Sequence, residues 1–455
     1  MNASLVLTAA AEELALFAGV GFLLFALDDL LVDLIYFARR IWRGLFVYTR
    51  FARAFAYTLP SLAAGWMAVF VPAWDESEVI APMLRATLAR FGEGDYRLFV
   101  GHYPNDPATA AAITTVGDPR IVPVLLPHDG PTTKADCLNH LHGALLGHEQ
   151  ARGERARAIV LHDAEDVVHP LELRLFSALI NRAAAIQLPV VPLPDPASAW
   201  IAGHYGDEFA ESHGKEMVVR EAVGASIPLA GVGCAIERGA LDRLATQNGG
   251  LPFAADSMTE DYEVGLRLGA LGLRTMFVRI PAMPGSRAAV ASRGHFPATL
   301  DAAVRQKARW IGGIALAGWD RLGWRGGIGE RWMRLRDRRG PLAALLMVAG
   351  YAAAFLWAQI ALARGLGAPL DVRIGPGLML LLKVNAGLLA WRVAMRALFA
   401  GAAYGPWQAI LSVPRLLVAN LIAILAVRRA IDLHDRRGPR VWDKTRHIFP
   451  TEIGA

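Results

Sequence analysis

The stretch AIVLHDAEDVVHP, residues 158–170, is a run of four apolar residues followed at once by Asp163, Glu165 and Asp166. An apolar run of this length ending in polar residues reads as a buried strand. Acids gathered at the carboxyl end of a strand suit a hard divalent cation, because carboxylates supply charged oxygens while diphosphate oxygens and water complete an octahedron. His162 and His169 flank the acids and leave a softer metal open. A helix N-terminus decorated with acids would give the same pattern, so this stretch alone supports both readings.

Working outward, strand-like runs recur at 66–71, 97–101, 121–126 and 188–191, with helical stretches such as 78–90 and 134–149 between the earlier ones. Strands alternating with helices predict an α/β domain whose mostly parallel sheet carries helices on both faces. Ligands bind such sheets at the carboxyl ends of the strands. The residues to inspect are therefore Asp75 and Glu76, then 102–106, then 162–166.

The chain has 455 residues, 54% hydrophobic and 19% charged, and its mean hydropathy of +0.33 excludes a disordered chain and points to a membrane. Lys and Arg outnumber Asp and Glu by 47 to 41, but the basic residues cluster beside apolar runs, which argues for membrane anchoring over nucleic acid. Cys137 and Cys234 are too few for a disulfide framework or a zinc site, so free thiols are expected. The apolar segment 14–37 is long enough to span and carries no cleavage site, so residues 1–40 are expected to be a retained anchor. Arg39, Arg40, Arg43, Arg50 and Arg53 follow it, which predicts that residues 41–339 form a cytosolic domain. Within that domain, residues from Trp66 to Arg339 lack a comparable apolar run. Arg331, Arg334, Arg336, Arg338 and Arg339 close the domain before a membrane hairpin at 340–400. Residues 407–427 could span by length, but Pro414, Arg415 and Asn420 interrupt them and a basic tail follows. The segment 401–455 is therefore read as an interfacial or re-entrant helix with a cytosolic tail whose Trp442, Lys444 and His447 can pack against the domain. Within the anchor, Asp29 and Asp33 share a helical face. They line a polar path or pair with Lys383, or else they lie at headgroup depth beside arginines.

Two further motifs carry chemistry. In DSMTEDYEVGLRL, 256–268, Glu260 and Asp261 open a helix. Ser257 to Glu260 fits a capping box, which would give Glu260 a structural task, whereas Asp261 is free to deprotonate a hydroxyl. In RQKARW, 305–310, on a helix capped by Thr299, the residues Gln306, Arg309 and Trp310 share one face. That face offers an amide, a guanidinium for phosphate and an indole for a sugar ring.

An acid cluster after a strand, then TED, then Q-x-x-R-W before membrane helices resembles the processive family 2 membrane glycosyltransferases, similar to cellulose, chitin and hyaluronan synthases. HDAEDVVHPLELRLF, SVPRLLVAN and VWDKTRHIFP are closest to the glycosyltransferase portion of the phage-adsorption protein B family. The resemblance implies a GT-A type nucleotide-diphospho-sugar transferase domain plus transmembrane helices. It places Asp163 and Glu165 at the D-x-D metal position, binding Mg²⁺ or Mn²⁺, and Asp261 at the general-base position, with Glu260 beside it in the catalytic motif. Gln306, Arg309 and Trp310 would contact the diphosphate and acceptor sugar. Asp75 and Glu76 of VPAWDES would border the nucleobase and Lys134 of TTKADCLN the nucleotide. In GHYPND, 101–106, only Asp106 stands where relatives carry paired aspartates. The implied activity is inverting, metal-dependent transfer from a nucleotide sugar, UDP-linked, that extends a polysaccharide at the bacterial inner membrane and assists its secretion. The implied partners are the donor, a growing glycan or lipid-linked acceptor, membrane lipid and an outer-membrane export partner, with no nucleic acid. Single transfer to a lipid carrier and a non-catalytic export or receptor scaffold are the alternatives.

Overall fold

The AIVL run occupies the middle of the sheet. The structure, a computed structural model, describes residues 3–60, 65–286, 288–368, 374–435 and 447–450. In chain order the strands are β1 (Met67–Pro72), β2 (Tyr96–His102), β3 (Ile121–Leu125), β4 (Ala158–Leu161), β5 (Ala185–Gln187), β6 (Val190–Pro192), β7 (Cys234–Glu237), β8 (Thr275–Phe277) and β9 (Ser292–Gly294). Seven of them form one sheet in the order β3-β2-β1-β4-β7-β5-β8, and β6 pairs with β9 alone. All pairs are parallel except those of β7, which runs antiparallel to both β4 and β5. The fold is thus an α/β domain with a mostly parallel sheet, as expected. Of the run expected at 188–191 only Val190 and Val191 are strand, in β6; Pro189, which has no N–H to donate to a ladder, stands between β5 and β6.

Successive side chains of a strand point to opposite faces, and both faces here are covered. Met67, Val69 and Val71 of β1 join Leu98, Val100 and Val160 on one side, whereas Ala68 and Phe70 join Phe99 and Ile159 on the other. After helix α1 (Ala3–Trp42), α2 (Ile80–Phe91) covers the first side through Ile80, Met83 and Leu84. Past α3 (Pro107–Thr114), α4 (Lys134–Arg152) covers the second through Leu138, Leu141 and Leu145. Cys137 and Cys234 are buried free thiols. The domain continues through α5 (Glu172–Leu179), α6 (Ile201–Glu211), α7 (Met217–Ala222), α8 (Arg238–Gln247), α9 (Glu260–Ala270), α10 (Leu300–Ile311), α11 (Gly318–Leu322) and α12 (Ile328–Arg338).

Helix α1 and three more, α13 (Gly340–Gly365), α14 (Pro376–Tyr404) and α15 (Pro406–Asp435), are long and apolar enough to cross a membrane. Small residues let α1 approach its neighbours closely: Gly21 faces Leu346, Gly350 faces Phe22, and Asn385 donates to the Gly19 carbonyl at 2.9 Å. The acids of α1 are fastened by the domain and by α14. Asp28 accepts from Trp332 (2.6 Å) and Arg339 (2.8 Å), Asp29 from Arg336 (3.0 Å) and Arg339 (2.6 Å), and Asp33 from Trp391 (2.7 Å) and Lys215. The expected partner Lys383 is exposed. Lys215, which is buried, takes that role.

The expected re-entrant break in the last segment is absent, because α15 is one continuous helix with Pro414 inside it. The polar residues that suggested a break have partners in the protein. Arg415 donates to Ala199 O (2.7 Å) and Gln408 (2.7 Å) and pairs with Asp207 of α6 (3.2 Å), while Asn420 donates to Tyr351 (2.9 Å). Farther along, Ala426 and Ala430 pack on Ala308 of α10. Arg436, Arg437, Arg440, Trp442 and Lys444 of the basic tail lie outside the described residues. Beyond them Phe449 packs against the first core cluster.

Helix α9 presses on residues 226–229, so a side chain at Gly265 would meet the Ile227 carbonyl oxygen at 2.2 Å and Pro228 Cα at 2.8 Å. Gly265→Ala is expected to cost about 1–3 kcal/mol through forced backbone displacement. Gly143→Ala, on an exposed face of α4 with nothing within 4 Å, is expected to gain about 0.5–1 kcal/mol from helix propensity. Thermal unfolding of the detergent-solubilised protein checks both signs.

Candidate active site

The chain leaves β4 into a turn braced from within. His162 is fully buried, with Nδ1 3.0 Å from Asp166 Oδ2 and Nε2 2.7 Å from Glu172 Oε1. Burial disfavours its charge, but Glu172 and Asp166 outweigh burial and raise its pKa to about 10. Asp166 also accepts the Asp163 N–H at 3.0 Å. His169 accepts the Leu171 N–H at 3.1 Å through Nδ1. Both ring nitrogens of His162 are therefore engaged inside the turn, which leaves it no nitrogen for a metal. The helix that follows begins at Glu172, so the acids 163–166 do not decorate its first turn. Asp163 and Glu165 are left facing a cavity of about 1220 Å³.

Lys134, capped into α4 by the Thr133 hydroxyl, pairs with Asp163. Burial opposes the ammonium, yet Asp163, Glu260 and Asp261 together raise its pKa. Glu165 is pushed up to about 8, first by burial, with Asp163, Glu76 and Asp166 adding repulsion against the opposing pull of His447. His447 Nδ1 lies 2.7 Å from Glu76 and 3.2 Å from Glu165. Burial works against the charge of His447, but the two glutamates hold its pKa up to about 9. One ligand atom from each of Glu76, Glu165 and His447 falls within 4.8 Å of the others.

The capping box at the start of α9 does not form. Thr259 is the N-cap without a side-chain bond, and Ser257 donates to Glu263 at 2.6 Å instead. Glu260 is therefore free of that structural task. Its carboxyl is pushed up to about 7 by burial and by the adjacent Asp261. Asp261 is raised by burial, with Lys134 and the Tyr262 N–H (2.7 Å) pulling against it. Gly231, at φ +73°, makes this approach possible: a Cβ there would lie 2.6 Å from Asp261 Oδ2 and 3.1 Å from Lys134 Nζ.

Helix α10 is capped by Thr299 as expected. Gln306, Arg309 and Trp310 line the cavity, and the buried Oε1 of Gln306 has no hydrogen-bond partner. The Trp310 ring stands edge-on to Tyr205 at 6.1 Å and 6.4 Å from Phe209. Lys307 turns away to Glu208 at 2.7 Å. The cavity thus gathers Glu76, Lys134, Asp163, Glu165, Glu260, Asp261, Gln306, Arg309 and Trp310.

Two expected residues lie outside it. Asp106 N-caps α3, accepting from Thr109 N (3.2 Å) and from Asp75 N (2.6 Å), so both its oxygens are engaged in structure. Asp75 is exposed at φ 53°. The tail carrying His447 is expected beside the domain and is found there, but no motif marks Gly231, singles out Arg305, Arg336, Arg339 and Arg429 as cavity residues, or points His447 at Glu76 across 371 positions. A positive-φ glycine and a contact at that separation leave no local pattern.

Residues 158–368 match the family model for glycosyl transferase family group 2. The bacteriophage adsorption protein B of Escherichia coli K12 is 36% identical over 452 aligned residues, covering 94% of this chain and 61% of that protein. The bacteriophage N4 adsorption protein B of Escherichia coli O157:H7 matches with the same figures. The chain thus spans about three-fifths of the length of these curated relatives. Among solved structures, the mannosyltransferase PcManGT from Pyrobaculum calidifontis, in complex with GDP-Man and Mn²⁺, superposes with a TM-score of 0.54 at 16% identity. That superposition covers 93% of this chain and 99% of the other, a likeness of fold.

If His162 is the brace of the turn, His162→Ala leaves Asp166 and Glu172 buried without their cation. The expected loss is about 3–5 kcal/mol of stability, as for breaking a buried ion pair. A thermal shift corresponding to less than 1 kcal/mol would contradict the bracing role.

Proposed function

Because the chain carries a glycosyltransferase family group 2 domain, we propose that it transfers a sugar from a nucleotide-sugar donor to an acceptor hydroxyl with inversion, at a membrane surface. The observation that carries this reading is one cavity lined jointly by Asp163 and Glu165, by Glu260 and Asp261, and by Gln306, Arg309 and Trp310. Asp163 and Glu165 would hold a divalent cation. The fit rests on two hard-oxygen side chains at one site and on the proton affinity of Glu165, raised first by burial and then by the neighbouring carboxylates Asp163, Glu76 and Asp166. When bound, such a cation offsets the negative charge of the leaving diphosphate. Arg309 adds a guanidinium to the same oxygens, and the unpartnered Gln306 carbonyl oxygen accepts from a sugar hydroxyl.

Asp261 receives the proton of the attacking hydroxyl. Its raised pKa makes it a stronger base than an ordinary aspartate, while Lys134 beside it favours the ionised form that a base requires. Glu260 lies next to it in the same cavity. Trp310, fixed by its aromatic neighbours, offers a face for the acceptor sugar. Asp163 contributes to the donor side with Lys134, and Glu76 borders it. In this reading the donor is UDP-linked, the product is a polysaccharide extended at the bacterial inner membrane, and an outer-membrane partner assists its export. Arg305, Arg336, Arg339 and Arg429 at the cavity, with Met333 and Leu433, favour a second reading, transfer to a lipid-phosphate carrier. Incubating membranes with candidate UDP- and GDP-sugars and Mn²⁺, then sizing the product, separates a polymer from a singly glycosylated lipid. Absence of transfer with every donor would sink both.

For topology, α15 lies along the interface. Arg415 near its start pairs with α6, and Ala426 and Ala430 near its end pack on α10, so both parts meet the domain on one side. The tail then shares the cytosolic side with the catalytic domain.

Asp261→Asn is expected to keep donor binding and lose turnover by about 10²–10⁴-fold, since the amide keeps the shape and loses the base. More than half the wild-type rate would reject the assignment. In a variant lacking Cys137 and Cys234, Thr445→Cys should resist a membrane-impermeant thiol reagent in intact cells and react once they are opened. Labelling in intact cells would show that α15 crosses.

A further inference from the structure

Away from the cavity, three side chains converge at the start of α4. Asp136 and His140 stand i, i+4 on one helical face, and His128 reaches them from the loop after β3. His128 Nε2 lies 2.9 Å from Asp136 Oδ2, and His140 Nε2 lies 3.8 Å from Asp136 Oδ1. One ligand atom from each of the three falls within 4.8 Å of the others. A tetrahedral ion bound at ~2.0–2.1 Å keeps its ligands about 3.3 Å apart. The two separations, each to a different oxygen of Asp136, lie on either side of that value, so small rotations of the side chains bring the ligands to it.

The donor set decides the ion. Two imidazole nitrogens and one carboxylate oxygen suit zinc, copper or nickel, whereas magnesium and calcium take oxygen ligands. The three side chains are 43%, 26% and 35% exposed, so an ion can enter and keep water at its fourth position. The loop bearing His128 is already held. Asn105 Nδ2 donates to Gly130 O (2.7 Å), Gly130 N donates back to Asn105 Oδ1 (2.9 Å), and Asp136 N donates to Thr133 Oγ1 (3.1 Å). A preorganised loop lowers the entropy cost of gathering ligands. None of the three residues lines the carboxylate cavity.

We propose that His128, Asp136 and His140 form a binding site for one transition-metal ion of zinc-like preference, separate from the carboxylates that would hold the catalytic cation. Such an ion fastens the loop to α4 on either side of Lys134, the residue that pairs with Asp163. It therefore stiffens the segment that delivers Lys134 to the cavity.

The test is calorimetric titration of the whole chain in detergent with zinc chloride, alongside thermal unfolding with and without zinc. The wild-type protein is expected to bind one zinc ion at this cluster and to unfold at a higher temperature in its presence, since a ligand of the folded state stabilises it. His128→Ala and His140→Ala should each weaken that binding at least tenfold and abolish the thermal rise, while unfolding at the wild-type temperature without metal. His447→Ala, which removes the nitrogen of the other candidate cluster, should keep it. Equal zinc affinity in wild type, His128→Ala and His140→Ala overturns the proposal. So does loss of the binding in His447→Ala with retention in His140→Ala.

Discussion

A single ammonium group, Lys134, sets the electrostatics of the cavity. The turn after β4 contributes Asp163 and the start of α9 contributes Glu260 and Asp261, and Lys134 is attracted to all three. Carboxylates brought together in a desolvated space repel one another, and each shifts toward its protonated form unless positive charge is supplied. Burial comes first and one lysine does not offset it, so proton affinity remains raised at Glu260 and Asp261, while burial and its own acidic neighbours raise that of Glu165. The site is in this sense built with a deficit of positive charge that a bound cation would offset. The backbone adapts to the same arrangement. Gly231 lacks a Cβ where one would collide with Asp261, and the close packing of α9 through Gly265 fixes where its first residues stand.

The membrane attachment follows a related rule. Buried ion pairs repay their desolvation only when each charge is multiply bonded, and those of α1 are. Arg336 and Arg339 of the α12 end each reach both Asp28 and Asp29, and Asp33 receives Lys215 and Trp391. The catalytic domain and the anchor are thereby joined through charges that cannot readily separate into lipid. A similar set forms where Asp207 meets Arg396 and Arg415. The arginines expected to mark the cytosolic face of the membrane in fact double as the bolts between domain and helices.

Much of this was legible in the sequence because the strands are short, apolar and bounded by polar residues. The runs near 66, 97, 121 and 158 are strands, and their carboxyl ends led to Glu76, Asp163 and Glu165. What escaped was non-local. Strand β7 is four residues, CAIE, with no distinctive period, and it inserts antiparallel between β4 and β5. The S-x-x-E pattern suggested a capping box, but Ser257 donates instead to Glu263, a carboxylate that also pairs with Arg321. Asp106 looked available because its sequence context resembles a nucleotide contact, whereas Thr109 N at the start of α3 claims one of its oxygens and Asp75 N the other. The interruptions of α15 looked like breaks because their partners, Asp207 and Tyr351, lie more than sixty positions away.

The placement of His447 against Glu76 and Glu165, with Phe449 seated in the core cluster, has a thermodynamic corollary. The docked segment and any cation at Glu165 share one carboxylate, so their free energies are linked, and linkage is reciprocal. Whatever factor the docked segment imposes on cation affinity, the cation imposes on docking. Because the imidazole arrives tethered, it meets the carboxylate at an effective concentration set by the chain rather than by the solution. Diluting the protein leaves that competition unchanged, whereas anything that holds the C-terminal segment elsewhere alters it.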